Sequence, residues 1–303
     1  MSDIANNTTP LDDLPFTISL RRVNRGVGYV ALFLPLWLIL VTIFTETCFN
    51  ASISHYYFSR IGGDLLVGSL TFIALLLAFF YSFPTDKVDG YRRHTTLDIW
   101  LAKIAGISAF LIAFSPTTGS GCLYDGAEVA RVFITGATGS EDFNNGGTGV
   151  AGTITYNFWA SFKRFGNPEN VPLILRSIHF AAAAAMFLIL AYFSYFVFTR
   201  DNSSASQMAG NRKIRRNFWY RWLGRAILLA VLAIGVKSAA LAWLLSPETA
   251  TAVETWWNSL RLTFVFEAIA LCSFGLSWMI KGRFIKAFED AAAMDATTQG
   301  RAA

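Results

Sequence analysis

Charge is scarce in this chain. Asp, Glu, Lys and Arg make up 15% of its 303 residues, against about 25% in an ordinary soluble domain, so a water-soluble globular body is a poor fit. Histidine is scarcer still, with three in all, and neither an HxxxH nor an HExxH pattern occurs, which removes the helical zinc-hydrolase signature. The three cysteines, Cys48, Cys122 and Cys272, contain no CxxC pair, so a zinc knuckle or a thioredoxin-like motif is excluded. Gly-rich phosphate loops, nucleophile elbows and a Ser-His-Asp order are also missing, as is any internal repeat of the kind that builds transporters by duplication. The first 15 residues are polar and acidic, and the first apolar run is too long for a signal h-region, so a retained helix is expected in place of a cleaved leader.

What is present is hydrophobic sequence, 54% of the chain, gathered into six runs: Val27 to Phe44, Asp64 to Phe83, Leu97 to Phe114, Pro172 to Phe198, Leu223 to Leu245 and Leu260 to Ile280. Each is about long enough to cross a hydrocarbon core of roughly 30 Å. In lipid every backbone N–H and C=O must be satisfied within the segment, which favours helices. The prediction is an all-α, polytopic transmembrane bundle of about six spans. Residues 1–26 precede it, residues 27–281 form it, and residues 282–303 follow as a tail. Pro84, Pro116 and Pro247 read as ends of helices two, three and five, and Pro172 as the first position of helix four.

Basic residues set the expected orientation. With the N-terminus in the cytoplasm, 17 Lys and Arg lie inside, densest from Arg200 to Arg225, and 6 outside (Arg60, Arg131, Lys163, Arg164, Arg176 and Arg261). Both termini are then cytoplasmic, and an inner (plasma) membrane of bacterial type is expected. The net charge of +5 and pI near 9.2 follow from this topology, and no nucleic-acid partner is implied because the cationic residues flank apolar runs. Membrane lipids are the expected partners, with protein partners or a homo-oligomer open. The longest connection, residues 117–171, falls outside and is rich in Gly, Ser, Thr and Asn; a short helix at Ala127 to Ile134 and an interfacial one at Ile154 to Phe165 are expected within it.

Ionisable side chains inside a bilayer are costly and tend to be functional or paired. Lys237, Glu267 and His179 fall at one depth on helices five, six and four, roughly 10 to 14 Å below the outer surface at 1.5 Å per residue. Above them lie His55, Asp64 and Arg176. Together they suggest an outward-facing polar pocket that binds or moves a lipid or small polar ligand, with Lys237 and Glu267 as a charge pair. A metal-dependent lipid hydrolase is the alternative, with His55, His179 and Asp64 as zinc ligands and Glu267 as general base. The other reading is structural, an accessory subunit in which the same side chains only fix helix packing. His94, beside Arg92 and Arg93 on the far side, is expected to be solvated or to face the headgroups. Cys48 and Cys122 share the outer compartment, so a disulfide between them is expected, two buried thiols being the alternative; Cys272 lies inside helix six.

The stretches Ser52-Ile53-Ser54-His55-Tyr56-Tyr57, Gly63-Asp64-Leu65-Leu66-Val67-Gly68, Phe114-Ser115-Pro116-Thr117, Ile178-His179-Phe180-Ala181 and Phe266-Glu267-Ala268-Ile269-Ala270 resemble a set of uncharacterised bacterial six-helix membrane proteins. In layout the chain is also distantly similar to the DRAM/Frag/Sfk type, which carries an Ile-Ser motif between its first two helices. The resemblance implies a six-helix membrane fold and names no activity.

Overall fold

The computed structural model describes residues 20–45, 47–81, 93–115, 164, 172–200 and 211–285. Eight α-helices occur among them: α1 Leu20–Phe44, α2 Arg60–Leu75, α3 Thr96–Phe114, a single turn α4 Leu173–Arg176, α5 Ile178–Tyr192, α6 Asn211–Ala239, α7 Pro247–Ser259 and α8 Leu262–Lys281. A 3-10 turn at Ser54–Phe58 precedes α2, and α2, α5 and α6 each end in a π-type turn, at Leu76–Phe80, Phe193–Val197 and Ala240–Leu244. Six helices, those other than α4 and α7, are long and apolar enough to cross a membrane. The predicted all-α bundle of six spans is what forms.

Several helices exceed the apolar runs. α1 begins at Leu20 rather than Val27, and α6 at Asn211 rather than Leu223, because Arg and Lys are good helix formers and carry the helix on past the apolar stretch. Residues 247–259 were expected to be a connection. Instead Ser246 accepts from the Thr249 N–H and Pro247 stands at the first helical position, so the proline read as an end opens a helix. Arg261, in the left-handed region at φ 52°, then turns the chain from α7 into α8.

The principal contacts close a ring, in which α1 packs on α8, α8 on α6, α6 on α5, α5 on α3, α3 on α2, and α2 back on α1. Two of these interfaces show why small residues are needed. A Cβ on Gly275 would lie 2.8 Å from the Gly28 carbonyl oxygen and from the Leu32 nitrogen, and a Cβ on Gly106 would lie 2.8 Å from the Ala74 carbonyl oxygen. Backbones approach there to a distance that no side chain allows, which is how helices in lipid gain dispersion contact without a hydrophobic driving force.

Inside the ring, Leu34, Leu38, Ile73, Leu77, Leu190, Ile227 and Phe274 are fully buried. Trp278 sits among Tyr81, Phe193, Phe198 and Phe274, its ring 4.4 Å centroid to centroid from the last two. This cluster fills the end of the bundle where α1 and α6 begin and α8 finishes, hereafter the basic end. Residues 47–59 cover the opposite end as a roof. Their backbone is tied to α8, since the Phe264 N–H, one of the orphan donors of that helix start, bonds the Ala51 carbonyl at 2.9 Å.

Candidate functional site

The roof is built on Tyr56, which is fully buried and whose hydroxyl lies 2.6 Å from the Thr42 Oγ1 of α1. Gly62 passes so close beneath it that a Cβ would meet Tyr56 at 2.8 Å. Ser52, Ile53 and Ser54 are therefore held facing the bundle interior, all three buried.

Two polar side chains from the spans rise to meet them. Glu267, on the second turn of α8, accepts from the Ser52 hydroxyl at 2.8 and 3.0 Å and from the Ile53 N–H at 2.6 Å. His179, at the start of α5, is 6% exposed. Its Nδ1 lies 2.8 Å from the Ser115 carbonyl oxygen, which can only accept, so Nδ1 carries the proton and Nε2 receives the Ser54 hydroxyl at 3.1 Å. The Ser54 N–H bonds the Ser52 Oγ at 3.2 Å. One chain of hydrogen bonds thus runs from α8 through the roof to α5 and on to the end of α3.

The expected layer of Lys237, Glu267 and His179 is only partly assembled. Glu267 and His179 are joined through Ser52 and Ser54, but the Lys237 ammonium pairs with Glu254 of α7 at 3.6 Å, and the expected Lys237–Glu267 charge pair is not formed. The reason lies in α7, which brings a carboxylate over the end of α6 and lets the long lysine stem reach outward to it. Glu254 is 55% exposed and Lys237 15%. The charge of Lys237 is nonetheless felt at His55. Burial above all, then His179 and Lys237, hold His55 at about 4, well below the ordinary histidine range, so it is neutral at pH 7.

The proposed zinc ligands do not come together. Among the described residues no three His, Cys, Asp or Glu side chains form a group able to hold a metal ion, and this applies to His55, His179 and Asp64. Asp64 is exposed on the outward face of α2 with Arg60, Ile61 and Gly68, the periodicity having turned it away from the roof. Arg176 closes α4; its side chain lies outside the described residues. Cys48 is disulfide-bonded and Cys272 is a free thiol, while Cys122 and the helices expected within residues 117–171 also lie outside the described residues.

A second polar cluster, at the basic end, was not anticipated. The fully buried Asp98 accepts from Tyr192 at 2.9 Å and from Arg200 at 2.7 Å, and it closes a capping box with Thr95 at the start of α3. Lys281 reaches the Arg200 carbonyl at 3.5 Å. The Thr95-Thr-Leu-Asp98 spacing was the available signal; Tyr192 and Arg200 offered none, because each stands in an ordinary interfacial position. His94 is a correction as well. It is 6% exposed and packs against Tyr81 and Phe193, and burial, with Lys281 and Arg200 adding to it against the pull of Asp98, holds it at about 4.

No protein-family profile matches the sequence, and neither a curated protein nor a solved structure matches it.

Proposed function

We propose that this chain is an integral protein of a bacterial inner (plasma) membrane, with both termini cytoplasmic, that binds a small polar or lipid ligand beneath its outer roof and passes it between the aqueous face and the bilayer. The observation that carries this reading is the Glu267 carboxyl group, placed inside a span and, among the described residues, hydrogen-bonded only to neutral donors, the Ser52 hydroxyl and the Ile53 N–H. A carboxylate kept at membrane depth without a cation is costly unless its bonds serve a purpose. A ligand presenting an ammonium or several hydroxyls would compete for those same lone pairs, and winning them would loosen the Ser52–Ile53 part of the roof, leaving the Phe264–Ala51 bond as its backbone tie to α8. Polar headgroups of lipids and small amino or polyhydroxyl compounds have this chemistry. The sidedness rests on the Lys and Arg asymmetry.

The test is the set of small molecules and lipids retained by purified protein, read by mass spectrometry for the wild type and for Glu267→Gln. The reading expects one class of compound bearing such donors to be retained by the wild type and lost from the variant. Identical retention of bulk lipid by both would favour an accessory subunit whose polar chain only fixes packing.

A further inference from the structure

The basic end carries a feature that the roof site leaves unused. Arg221 and Arg225, one turn apart on α6, both place their guanidinium carbons over the ring of Tyr195, at 6.0 and 5.7 Å from its centroid. Both arginines are exposed, and among the described residues neither forms an ion pair. Between them lies Gly224, where a Cβ would stand 3.0 Å from the Tyr195 Cβ and 3.1 Å from the Ala191 carbonyl oxygen. The close approach of α6 to α5 at this glycine is what brings one aromatic ring within reach of two cations. Like charges at i and i+4 repel on an exposed helix; the Tyr195 ring offsets part of that repulsion, and an anion between the two guanidinium groups would offset the rest.

Depth identifies the source of that anion. The span containing α6 ends at Leu244, and about 30 Å of hydrocarbon measured back from there at 1.5 Å per residue reaches Arg225. Arg225 therefore lies where lipid phosphates begin, with Arg221 one turn beyond. Phe218, Trp219 and Trp222 are exposed beside them, at 53%, 43% and 51%, as aromatic side chains are at a membrane interface. We infer that Arg221 and Arg225, gathered by the Tyr195 ring, form a binding site for the phosphate of an anionic phospholipid headgroup in the leaflet at the basic end.

Native mass spectrometry of the full-length protein in detergent, titrated separately with phosphatidylglycerol, phosphatidylcholine and inorganic phosphate, tests this. The expected result is bound phosphatidylglycerol in preference to phosphatidylcholine, no saturable binding of inorganic phosphate, and a preference that falls about fivefold in Arg225→Gln and more in R221Q/R225Q, following the roughly 1 kcal/mol that each basic residue contributes at an anionic surface. Arg60→Gln, at the roof end, should keep the wild-type preference. Equal binding of the two lipids by wild type, saturable phosphate that displaces the lipid, or an undiminished preference in Arg225→Gln would each overturn the assignment. The single variant keeps the test decisive should the double variant fail to fold.

Discussion

At the level of single residues, the polar chain beneath the roof makes the sharpest demands. Glu267→Ala would leave the Ile53 N–H and the Ser52 hydroxyl without their acceptor, and a buried donor so orphaned costs about 1–3 kcal/mol. Glu267→Gln keeps one acceptor oxygen and should cost less; thermal unfolding in detergent checks the order. Because Lys237 pairs with Glu254 and not with Glu267, losses from Lys237→Ala and Glu267→Ala should add to within roughly 0.5 kcal/mol. Protonation supplies a further check. His55 and His94 are both held at about 4, below the ordinary value of 6.5, so across that interval the unfolded chain binds more protons than the folded one. The share of stability due to these two groups should therefore be fully present above about pH 6.5 and decline as pH falls towards 4, so between pH 7.5 and pH 5 the melting temperature of His94→Gln should change less in the destabilising direction than that of the wild type. An identical pH dependence in the wild type and His94→Gln would contradict it. His179 and Glu267 were legible in the sequence because charge and imidazole inside apolar runs are rare. The partner of Lys237 was not, since nothing in residues 247–259 distinguishes a polar connection from a capped amphipathic helix except the Ser246-Pro247 pair.

Among the helices, close backbone contact decides what can be changed. Gly275→Leu would drive a side chain into the Gly28 carbonyl oxygen and the Leu32 nitrogen of α1, and overpacking of this kind costs about 1–3 kcal/mol or more. Gly235 in α6 meets nothing within 4 Å, so Gly235→Ala should be neutral or stabilise by up to about 1 kcal/mol through reduced backbone entropy. Unfolding of the two variants side by side separates an interface glycine from an incidental one. Hydropathy located all six spans because about 20 apolar residues per crossing is a requirement of the bilayer itself. It misplaced the starts of α1 and α6, where helix propensity of Arg and Lys continues a helix that lipid no longer compels. Asp64 was placed with the site on the strength of its neighbours in sequence. The helical period carried it to the outside of α2 instead, a difference of about 100° per residue that a linear motif does not display.

For the molecule as a whole, the ring of six spans encloses an aromatic core at one end and a hydrogen-bonded roof at the other. That polarity gives a topology test. In a background with Cys48, Cys122 and Cys272 all replaced by Ala, single cysteines at Ile214 near the start of α6 and at Trp256 in α7 should react with a membrane-impermeant maleimide from opposite sides, Trp256 from outside. Labelling of both from one side would contradict the arrangement. The central claim is that Glu267 latches the Ser52–Ile53 part of the roof and that a competing ligand can loosen it. Amide hydrogen exchange of the segment from Ala51 to Ser59 reads the latch directly, since its bonds to Glu267 include the Ile53 N–H itself. The account predicts that Glu267→Gln raises exchange in this segment by about tenfold or more, the equivalent of about 1.4 kcal/mol, while residues 226–239 of α6 keep their protection. Unaltered exchange across the roof, or an equal loss of protection in α6, would contradict it.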